Sequence, residues 1–207
     1  MATKSKKRKS RVGHRTSKSR KRTPRRSVRV PTKKPGAKKS SWAPFLAPRE
    51  FGERRYWLVK SEPDVFSFAN LLRIHNKTTQ WDNIRNFVAR NFLRDGMKTG
   101  DRVFFYHSST GEPGIVGICE VVREAYPDPS QFDPASDYYD KKATKEKPIW
   151  VMVDLRAVAQ MTHPVLLTAI KVRKELRHMA LLRIGRLSVT PVTVTEWNVI
   201  TQMAESL

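Results

Sequence analysis

Polar and aromatic side chains at the ends of apolar segments are the residues best placed to do chemistry in this sequence. They fall in four short segments: WLVKSEP, WDNIRN, VFFYHSS and RLSVTP. The candidate side chains are Lys60, Ser61, Glu62, Trp81, Asp82, Arg85, Asn86, Tyr106, His107, Ser108, Arg186, Ser188 and Thr190. Because strand ends in a small barrel converge on one rim, we expect these side chains to line a common pocket.

This set of side chains has the chemistry to bind a nucleobase. The aromatic faces of Trp57, Trp81 and Tyr106 can stack on a base, an interaction worth about 1–3 kcal/mol for each base. Asparagine, serine and lysine side chains can hydrogen-bond to its Watson–Crick edge. A pocket that holds a base out of its stack must offset an unstacking cost of roughly a few kcal/mol. Two aromatic rings and a few hydrogen bonds are enough to do so.

Several of these residues also have a purely structural interpretation. A tryptophan in a strand more often belongs to the core than to a pocket, and Trp57 fits both interpretations equally well. Trp150 and Trp197 are expected in the core. Lys60 and Glu62 lie on the same face of a strand and could form a surface ion pair. These interpretations leave Trp81 as the tryptophan that most favours a pocket.

Catalytic and cofactor patterns are weak in this sequence. His107 beside Ser108 has the composition of a base and its nucleophile, but neither an acidic partner nor a nucleophile elbow accompanies the pair. The other histidines lack metal-ligand spacing, and Gly111, Gly114 and Gly117 suit a hairpin better than a phosphate-binding loop. We therefore expect no metal, no cofactor and no catalytic residue.

The charge of the chain divides it into two parts. Its 207 residues carry a net charge of +22. Residues 1–50 contain 19 Lys or Arg and one acidic residue, a net charge of +18. Residues 51–207 contain 22 Lys or Arg and 18 Asp or Glu, a net charge of +4. We interpret the chain as a basic tail, residues 1–50, joined to a folded domain, residues 54–207.

The tail has too few apolar residues to fold alone. Up to residue 40, Met1 and three valines cannot offset an ordering cost of about 1–2 kcal/mol per residue, so we expect disorder. Trp42, Phe45 and Leu46 are expected to fasten its end to the domain. A polycation of this kind binds nucleic acid by displacing counterions. The expected phosphate contacts are Lys6, Lys7, Arg8, Lys9, Arg20, Lys21, Arg22, Arg25 and Arg26.

The tail also bears on the compartment of the protein. The clusters KSKKRKSR and KSRKRTPRR favour a nuclear-localisation signal or a nucleic-acid-binding arm over an organellar transit peptide. We expect the nucleus in a eukaryote, and the nucleoid or cytoplasm in a bacterium. No apolar run approaches the roughly 20 residues that span a bilayer, so no membrane partner is expected. The single cysteine, Cys119, excludes an intrachain disulfide.

The hydrophobic pattern of the domain mixes strands and helices. Strands are predicted over residues 56–62, 101–109, 115–125 and 148–161, with a short strand within 185–192. Helices are predicted over 66–74 with Ser67 as N-cap, over 81–95, over 167–182, and over 193–207 with a Thr193–Glu196 capping box. This mixture predicts an α+β fold built on a curved, mainly antiparallel sheet or small barrel with flanking helices.

The domain resembles the EVE domain of the PUA-like superfamily. The resemblance rests on the segments YWLVKSEP, WDNIRNFVARNFLRD, GDRVFFYHSS, PGIVGICEVVREAYPDPSQFD, YYD, PIWVMVDL and LLRIGRLSVTPVT, which follow one another in the family order. It departs from the family at Asn83, where a glycine is usual after the WD pair. Asparagine tolerates a left-handed backbone, so the turn is expected to survive, with a side chain that narrows the pocket mouth.

The resemblance implies a PUA-like barrel and a pocket for a modified base, with methylated or hydroxymethylated cytosine in DNA favoured. The pocket positions that it implies are Trp57, Lys60, Ser61, Trp81, Arg85, Asn86, Tyr106, His107, Ser108, Leu187 and Ser188.

The sequence therefore predicts a monomeric, non-enzymatic reader of a modified base, bound to DNA in the first place and RNA in the second. Two alternatives remain open at this stage. One is a structural RNA-binding component of a ribonucleoprotein such as a ribosome. The other is an enzyme that acts on modified nucleobases through His107 and Lys60.

Overall fold

The computed structural model describes residues 42–205. The predicted disorder of the tail and its phosphate-binding residues 6–26 lie outside this range and stay predictions. Six strands form the sheet: β1 (Tyr56–Ser61), β2 (Thr78–Trp81), β3 (Arg102–His107), β4 (Gly114–Pro127), β5 (Val151–Leu166) and β6 (Val189–Val192). The α-helices are α1 (Ala43–Leu46), α2 (Phe68–Arg73), α3 (Phe87–Asn91), α4 (Leu167–Val172), α5 (Ala180–Arg183) and α6 (Val194–Glu205).

The six strands form one mixed sheet in the order β2-β5-β4-β3-β1-β6. β1 pairs parallel with β3, and the other four pairings are antiparallel. This confirms the predicted α+β fold with flanking helices. Within residues 42–205 the pairing leaves β2 and β6 as the outer strands, so the predicted closure into a barrel is not confirmed.

Two predicted helices differ from the structure, each for a local reason. The helix predicted from residue 81 begins at Phe87, because Trp81 completes β2 and Asn83 has a left-handed backbone with φ of 60°. β2 itself was not predicted, since its sequence TTQW is short and polar. The helix predicted over 167–182 is divided into α4, a 3-10 turn at Lys174–Leu176, and α5. The Ser67 cap and the Thr193–Glu196 capping box are confirmed.

The sheet buries apolar side chains on both of its faces. On β1, Trp57 and Val59 join one core cluster, and Leu58 joins the other. On β3, Phe105 belongs to the cluster of Trp57, and Phe104 belongs to the cluster of Leu58. Successive side chains of a strand point to opposite faces of the sheet, which explains this alternation. Each fully buried large side chain contributes about 1.5–3 kcal/mol. This two-sided core fixes the central strands and therefore the positions of their ends.

The parallel pairing of β1 and β3 brings together the polar residues at their carboxyl ends. Lys60 is the register partner of Tyr106, and Ser61 is the register partner of His107. Beyond the strands, the Ser108 amide donates to the Ser61 carbonyl at 2.8 Å. The two segments singled out from the sequence therefore end side by side at one edge of the sheet.

Candidate functional site

Two cavities lie on either side of Lys60 and Glu62 at this edge. The Trp81 cavity measures about 620 Å³ and the Ser188 cavity about 680 Å³. The Trp81 cavity is lined by Lys60, Ser61, Glu62, Val65, Phe66, Thr79, Gln80, Trp81, Asp82, Asn83, Ile84 and Tyr138. The Ser188 cavity is lined by Lys60, Glu62, Tyr106, Ser108, Ser109, Pro113, Leu167, Leu181, Gly185, Arg186, Leu187 and Ser188.

Aromatic rings form three walls of the Trp81 cavity. Trp81 is only 7 % exposed, and its ring meets the Phe105 ring edge to face with the centroids 5.5 Å apart. Phe66 packs on the same Phe105 ring at 6.3 Å. Tyr138 reaches the cavity from the loop after β4 and is 42 % exposed. Trp81 and Phe66 are therefore held by the core, whereas Tyr138 depends on how its loop is fastened.

The turn after Trp81 places a carboxylate in the cavity. Asn83 has φ of 60°, so the expectation that asparagine would keep the left-handed turn is confirmed. Its backbone amide donates to Asp128 at 3.0 Å, and its side-chain amide donates to Asp82 at 3.1 Å. Burial, together with the nearby charge of Asp128, raises the pKa of Asp82. Asp82 is thus an oriented acceptor next to an aromatic wall.

Arg85 fastens the loop that carries Tyr138. Its guanidinium donates to the carboxylate of Asp128 at 2.8 Å, to the Ser130 hydroxyl at 2.7 Å and to the Tyr138 carbonyl at 2.7 and 2.9 Å. It also lies 5.3 Å from the Tyr138 ring and 5.4 Å from the Trp150 ring. Burial opposes the charged form of Asp128, but hydrogen bonds from Ser130 and Arg85 prevail and lower its pKa.

Lys60 stands between the two cavities. Its ammonium donates to the Gly185 carbonyl at 2.8 Å and lies 5.9 Å from the centroid of the Tyr106 ring. Partial burial lowers the pKa of Lys60. The surface ion pair with Glu62 is not formed, since Glu62 instead accepts a hydrogen bond from the Ser109 hydroxyl at 3.0 Å.

The predicted common pocket is therefore divided in two. Lys60 borders both cavities, and Ser61 and Trp81 line the Trp81 cavity. Of the other candidate residues, Asp82 also lines the Trp81 cavity and Glu62 borders both, whereas the Ser188 cavity is lined by Tyr106, Ser108, Arg186, Leu187 and Ser188. Ser61 has a structural task as well, because its hydroxyl donates to the Phe66 carbonyl at 2.6 Å.

The prediction that Trp57 stacks on a base is wrong. Its side chain is 0 % exposed, packs against Phe92 and Phe45, and donates through its indole nitrogen to Asp101 at 2.8 Å. A ring that is enclosed on both faces has no surface left for a ligand. Trp57 is a core residue that anchors the strand from which Lys60 and Ser61 project.

Three other predicted pocket residues support the site without lining either cavity. Asn86 caps α3, and its side-chain oxygen accepts from the Val88 and Ala89 amides. His107 caps the start of α2, because its Nε2 accepts from the Phe68 amide at 3.1 Å, and burial lowers its pKa. Arg85, the third, fastens the Tyr138 loop as described above.

Most residues of the Trp81 cavity that the sequence does not predict come from turns and loops, and Thr79 and Gln80 come from β2. Phe66 and Tyr138 line the Trp81 cavity without a prediction from the sequence, whereas Asp82 and Glu62 are among the expected pocket side chains and Asn83 is expected at the pocket mouth. Tyr138 stands in the YYD segment, which was the only signal for it. In a long polar loop, no periodicity indicates which of two adjacent tyrosines faces a site.

Residues 42–205 contain no group of three or more His, Cys, Asp or Glu side chains that could hold a metal ion. Over the same range, no helix is long and apolar enough to cross a membrane.

Comparison with known proteins places this site in a family. Residues 55–203 match the family model of the EVE domain. The chain belongs to the EVE-domain family. The match contains every strand of the sheet and every residue that lines the two cavities.

Individual proteins are similar to this chain over 72–74 % of its length. Thymocyte nuclear protein 1 of Gallus gallus is 41 % identical over 167 residues, which cover 72 % of this chain and 69 % of that protein. A hypothetical protein from Leishmania major is 48 % identical with a TM-score of 0.70, covering 74 % of this chain and 96 % of that one. Human THYN1 protein, in complex with 5-methylcytosine-containing DNA, is 38 % identical with a TM-score of 0.70. The match covers 73 % of this chain and 98 % of that one.

Proposed function

We propose that this protein is a non-enzymatic reader of a modified base in nucleic acid, with 5-methylcytosine or 5-hydroxymethylcytosine in DNA as the favoured ligand. The observation that carries the proposal is the Trp81 cavity, which is lined by the rings of Trp81, Phe66 and Tyr138 together with the oriented carboxylate of Asp82. Its volume of about 620 Å³ lies within the usual range of roughly 300–1,000 Å³ for small-molecule sites.

The polar groups of the cavity suit cytosine. The exocyclic amine at C4 of cytosine is a donor, and Asp or Glu carboxylates are its usual acceptors. Asp82 and Glu62 both line the cavity and supply such acceptors. The aromatic walls would stack on the ring and contact a methyl or hydroxymethyl group at C5. A base can reach these groups only after it leaves its stack, at a cost of roughly a few kcal/mol.

The structure of a relative supports DNA as the partner. The human protein, which is 38 % identical and has the same fold, was solved with 5-methylcytosine-containing DNA. The relatives from Gallus gallus and Homo sapiens are named as nuclear proteins, which supports a nuclear location for a eukaryotic chain of this kind.

The geometry around His107 supports binding rather than catalysis. His107 uses Nε2 to accept from the Phe68 amide, and the Ser108 hydroxyl donates to the Ser61 carbonyl at 3.3 Å. Neither side chain is therefore arranged to activate the other as a nucleophile. Lys60, the other residue considered for an enzymatic role, is hydrogen-bonded to the Gly185 carbonyl.

The basic tail would add affinity that does not depend on the base. Residues 1–50 carry +18 of the net charge. Each phosphate that the tail neutralises adds about 0.9 to the log–log salt slope on duplex DNA. The two parts therefore have separable signatures: the tail sets the salt dependence, and the Trp81 cavity sets the preference among bases.

A binding screen tests this function. The full chain is titrated with DNA and RNA oligonucleotides of one sequence that carry cytosine, 5-methylcytosine, 5-hydroxymethylcytosine or N6-methyladenine at one position. We expect the tightest binding to a DNA strand with a C5-modified cytosine, at every salt concentration tested. Equal affinity for the four bases would contradict the proposal. A preference for RNA with unmodified cytosine would favour a role in a ribonucleoprotein.

A further inference from the structure

The Ser188 cavity borders the Trp81 cavity, in which the proposed function places the modified base. We propose that it holds the nucleotide next to that base, so that the protein recognises a step of two nucleotides. The inference rests on the proposed function of the Trp81 cavity and adds a second binding site to it.

The lining of the Ser188 cavity suits a nucleotide. Its floor is apolar, formed by the buried side chains of Tyr106, Leu181 and Leu187. Its rim includes Ser188 and the exposed Arg186. A base can lie on an apolar floor and stack against a guanidinium, while hydroxyl groups meet its polar edge and sugar. At about 680 Å³, the cavity is as large as the neighbouring one.

Lys60 brings a positive charge with donors to spare to the wall between the two cavities, which it shares with Glu62. A lysine ammonium has three N–H donors, and Lys60 gives one to the Gly185 carbonyl. None of the ion pairs found in residues 42–205 includes Lys60. Two adjacent nucleotides, one in each cavity, would place the phosphodiester that joins them against this wall, where the ammonium offsets its charge.

Backbone hydrogen bonds fix the spacing of the two cavities. The Lys60 amide donates to the Ser188 carbonyl at 2.9 Å, which ties the wall to a second residue that lines the Ser188 cavity. The Ser108 amide donates to the Ser61 carbonyl at 2.8 Å and ties the wall to the end of β3. A fixed spacing is what the recognition of two successive nucleotides needs, because nucleotides along a strand are themselves regularly spaced.

The experiment removes the neighbouring base instead of the modified one. The full chain is titrated with three DNA oligonucleotides that contain one 5-methylcytosine: an intact strand, a strand with an abasic site on the 5′ side, and a strand with an abasic site on the 3′ side. The same three strands with plain cytosine are measured in parallel, at a salt concentration that suppresses binding by the tail. Loss of one flanking base should weaken binding about fivefold or more, and loss of the other should not.

Two arginines provide a matched pair of variants. Arg186→Ala should reduce the dependence on the flanking base, because Arg186 lines the Ser188 cavity. Arg183→Ala removes the same charge from an exposed position that lines a different cavity, and should keep the dependence. Ser188→Phe, which fills the cavity, should abolish the dependence.

The outcomes separate the two proposals. A preference for methylated strands that is unaffected by either abasic site would overturn the neighbour subsite and leave the reader function standing. Equal binding of methylated and plain strands would overturn the reader function, and with it the subsite for a neighbour. An equal effect of the Arg183 and Arg186 variants on the flanking-base dependence would also overturn the subsite, because the effect would then follow from charge alone.

Discussion

Arg85 holds Tyr138 by both its backbone and its ring. The guanidinium donates to the Tyr138 carbonyl at 2.7 and 2.9 Å and lies 5.3 Å from the centroid of the ring. The same guanidinium donates to Oδ2 of Asp128, which is 0 % exposed, and that oxygen also accepts from the Asn83 amide. Two walls of the Trp81 cavity, the Asn83 turn and the Tyr138 loop, are thus joined through one ion pair.

Arg85→Lys tests this connection. A lysine keeps the charge but loses the planar fork that contacts Asp128, Ser130 and Tyr138 together. We expect affinity for a methylated oligonucleotide to fall about tenfold, with a loss of unfolding free energy of about 1–3 kcal/mol. Titration and chemical denaturation measure the two effects.

The control for this substitution is Arg94→Lys. Arg94 pairs with Asp95 at the surface, where both side chains are more than 40 % exposed. Exposed pairs of this kind contribute about 0–1 kcal/mol. If the two variants bound methylated DNA equally well, Arg85 would have no role in positioning the cavity wall.

The left-handed backbone at Asn83 gives a second prediction. Asn83→Gly and Asn83→Ala both remove the contacts of its side chain with Asp82 and Ser130. Alanine has a Cβ atom, which destabilises a left-handed backbone by about 1–2 kcal/mol, whereas glycine has none. We expect Asn83→Ala to unfold at lower denaturant concentration than Asn83→Gly. An equal midpoint for the two variants would show that the turn relaxes.

His107 predicts a dependence of stability on pH. Burial lowers its pKa below the ordinary 6.5, and Nε2 must be unprotonated to accept from the Phe68 amide. The unfolded chain therefore binds a proton more readily, so the stability from this group is complete above pH 6.5 and declines as the pH falls below it. Glutamine keeps a hydrogen-bond acceptor but does not titrate. Between pH 7.5 and 5.5, the melting temperature of His107→Gln should therefore fall less than that of the wild type. If the melting temperature of the variant fell with pH as steeply as that of the wild type, His107 would not be the cause of the pH dependence.

The end of the predicted tail is part of the fold, and truncation can show it. Trp42 meets Phe92 edge to face, Phe45 packs on Trp57, and Arg49 donates to the buried Asp101 at 2.6 Å. Deletion of residues 1–50 should lower the melting temperature by roughly 5–10 °C compared with deletion of residues 1–41, since these contacts are lost. Equal melting temperatures would show that this segment adds no stability. The shorter deletion is therefore the proper tail-less form for binding experiments.

The strands and caps could be predicted from sequence because their signals are local. β1 and β3 are apolar runs that end in polar residues, and the Thr193–Glu196 spacing is sufficient for a capping box. The division of the site into two cavities could not be predicted in this way. It follows from the parallel pairing of β1 with β3, which are separated in the chain by α2, β2 and α3, and from the side chain of Lys60 between the cavities.

The roles of the two tryptophans show a second limit of the sequence. β1 is buried on both faces, so its residues lack the alternation of polar and apolar side chains that would place Trp57 in the core. Trp81 ends a short strand at the sheet edge, and the left-handed turn at Asn83 then leads the chain along the cavity. The sequence leaves Trp57 open between core and pocket, and the three-dimensional pairing decides for the core.

Tyr138 and Tyr139 allow the most direct test of the reader function. They are adjacent and similarly exposed, 42 % and 46 %, but only Tyr138 lines the Trp81 cavity. The measurement is the ratio of affinities for methylated and plain oligonucleotides, taken for the wild type, Tyr138→Ala and Tyr139→Ala. We predict a ratio well above one for the wild type and Tyr139→Ala, and a ratio near one for Tyr138→Ala, because a stacking wall is worth about 1–3 kcal/mol. A ratio that stays high in Tyr138→Ala, or falls equally in both variants, would contradict base recognition in this cavity.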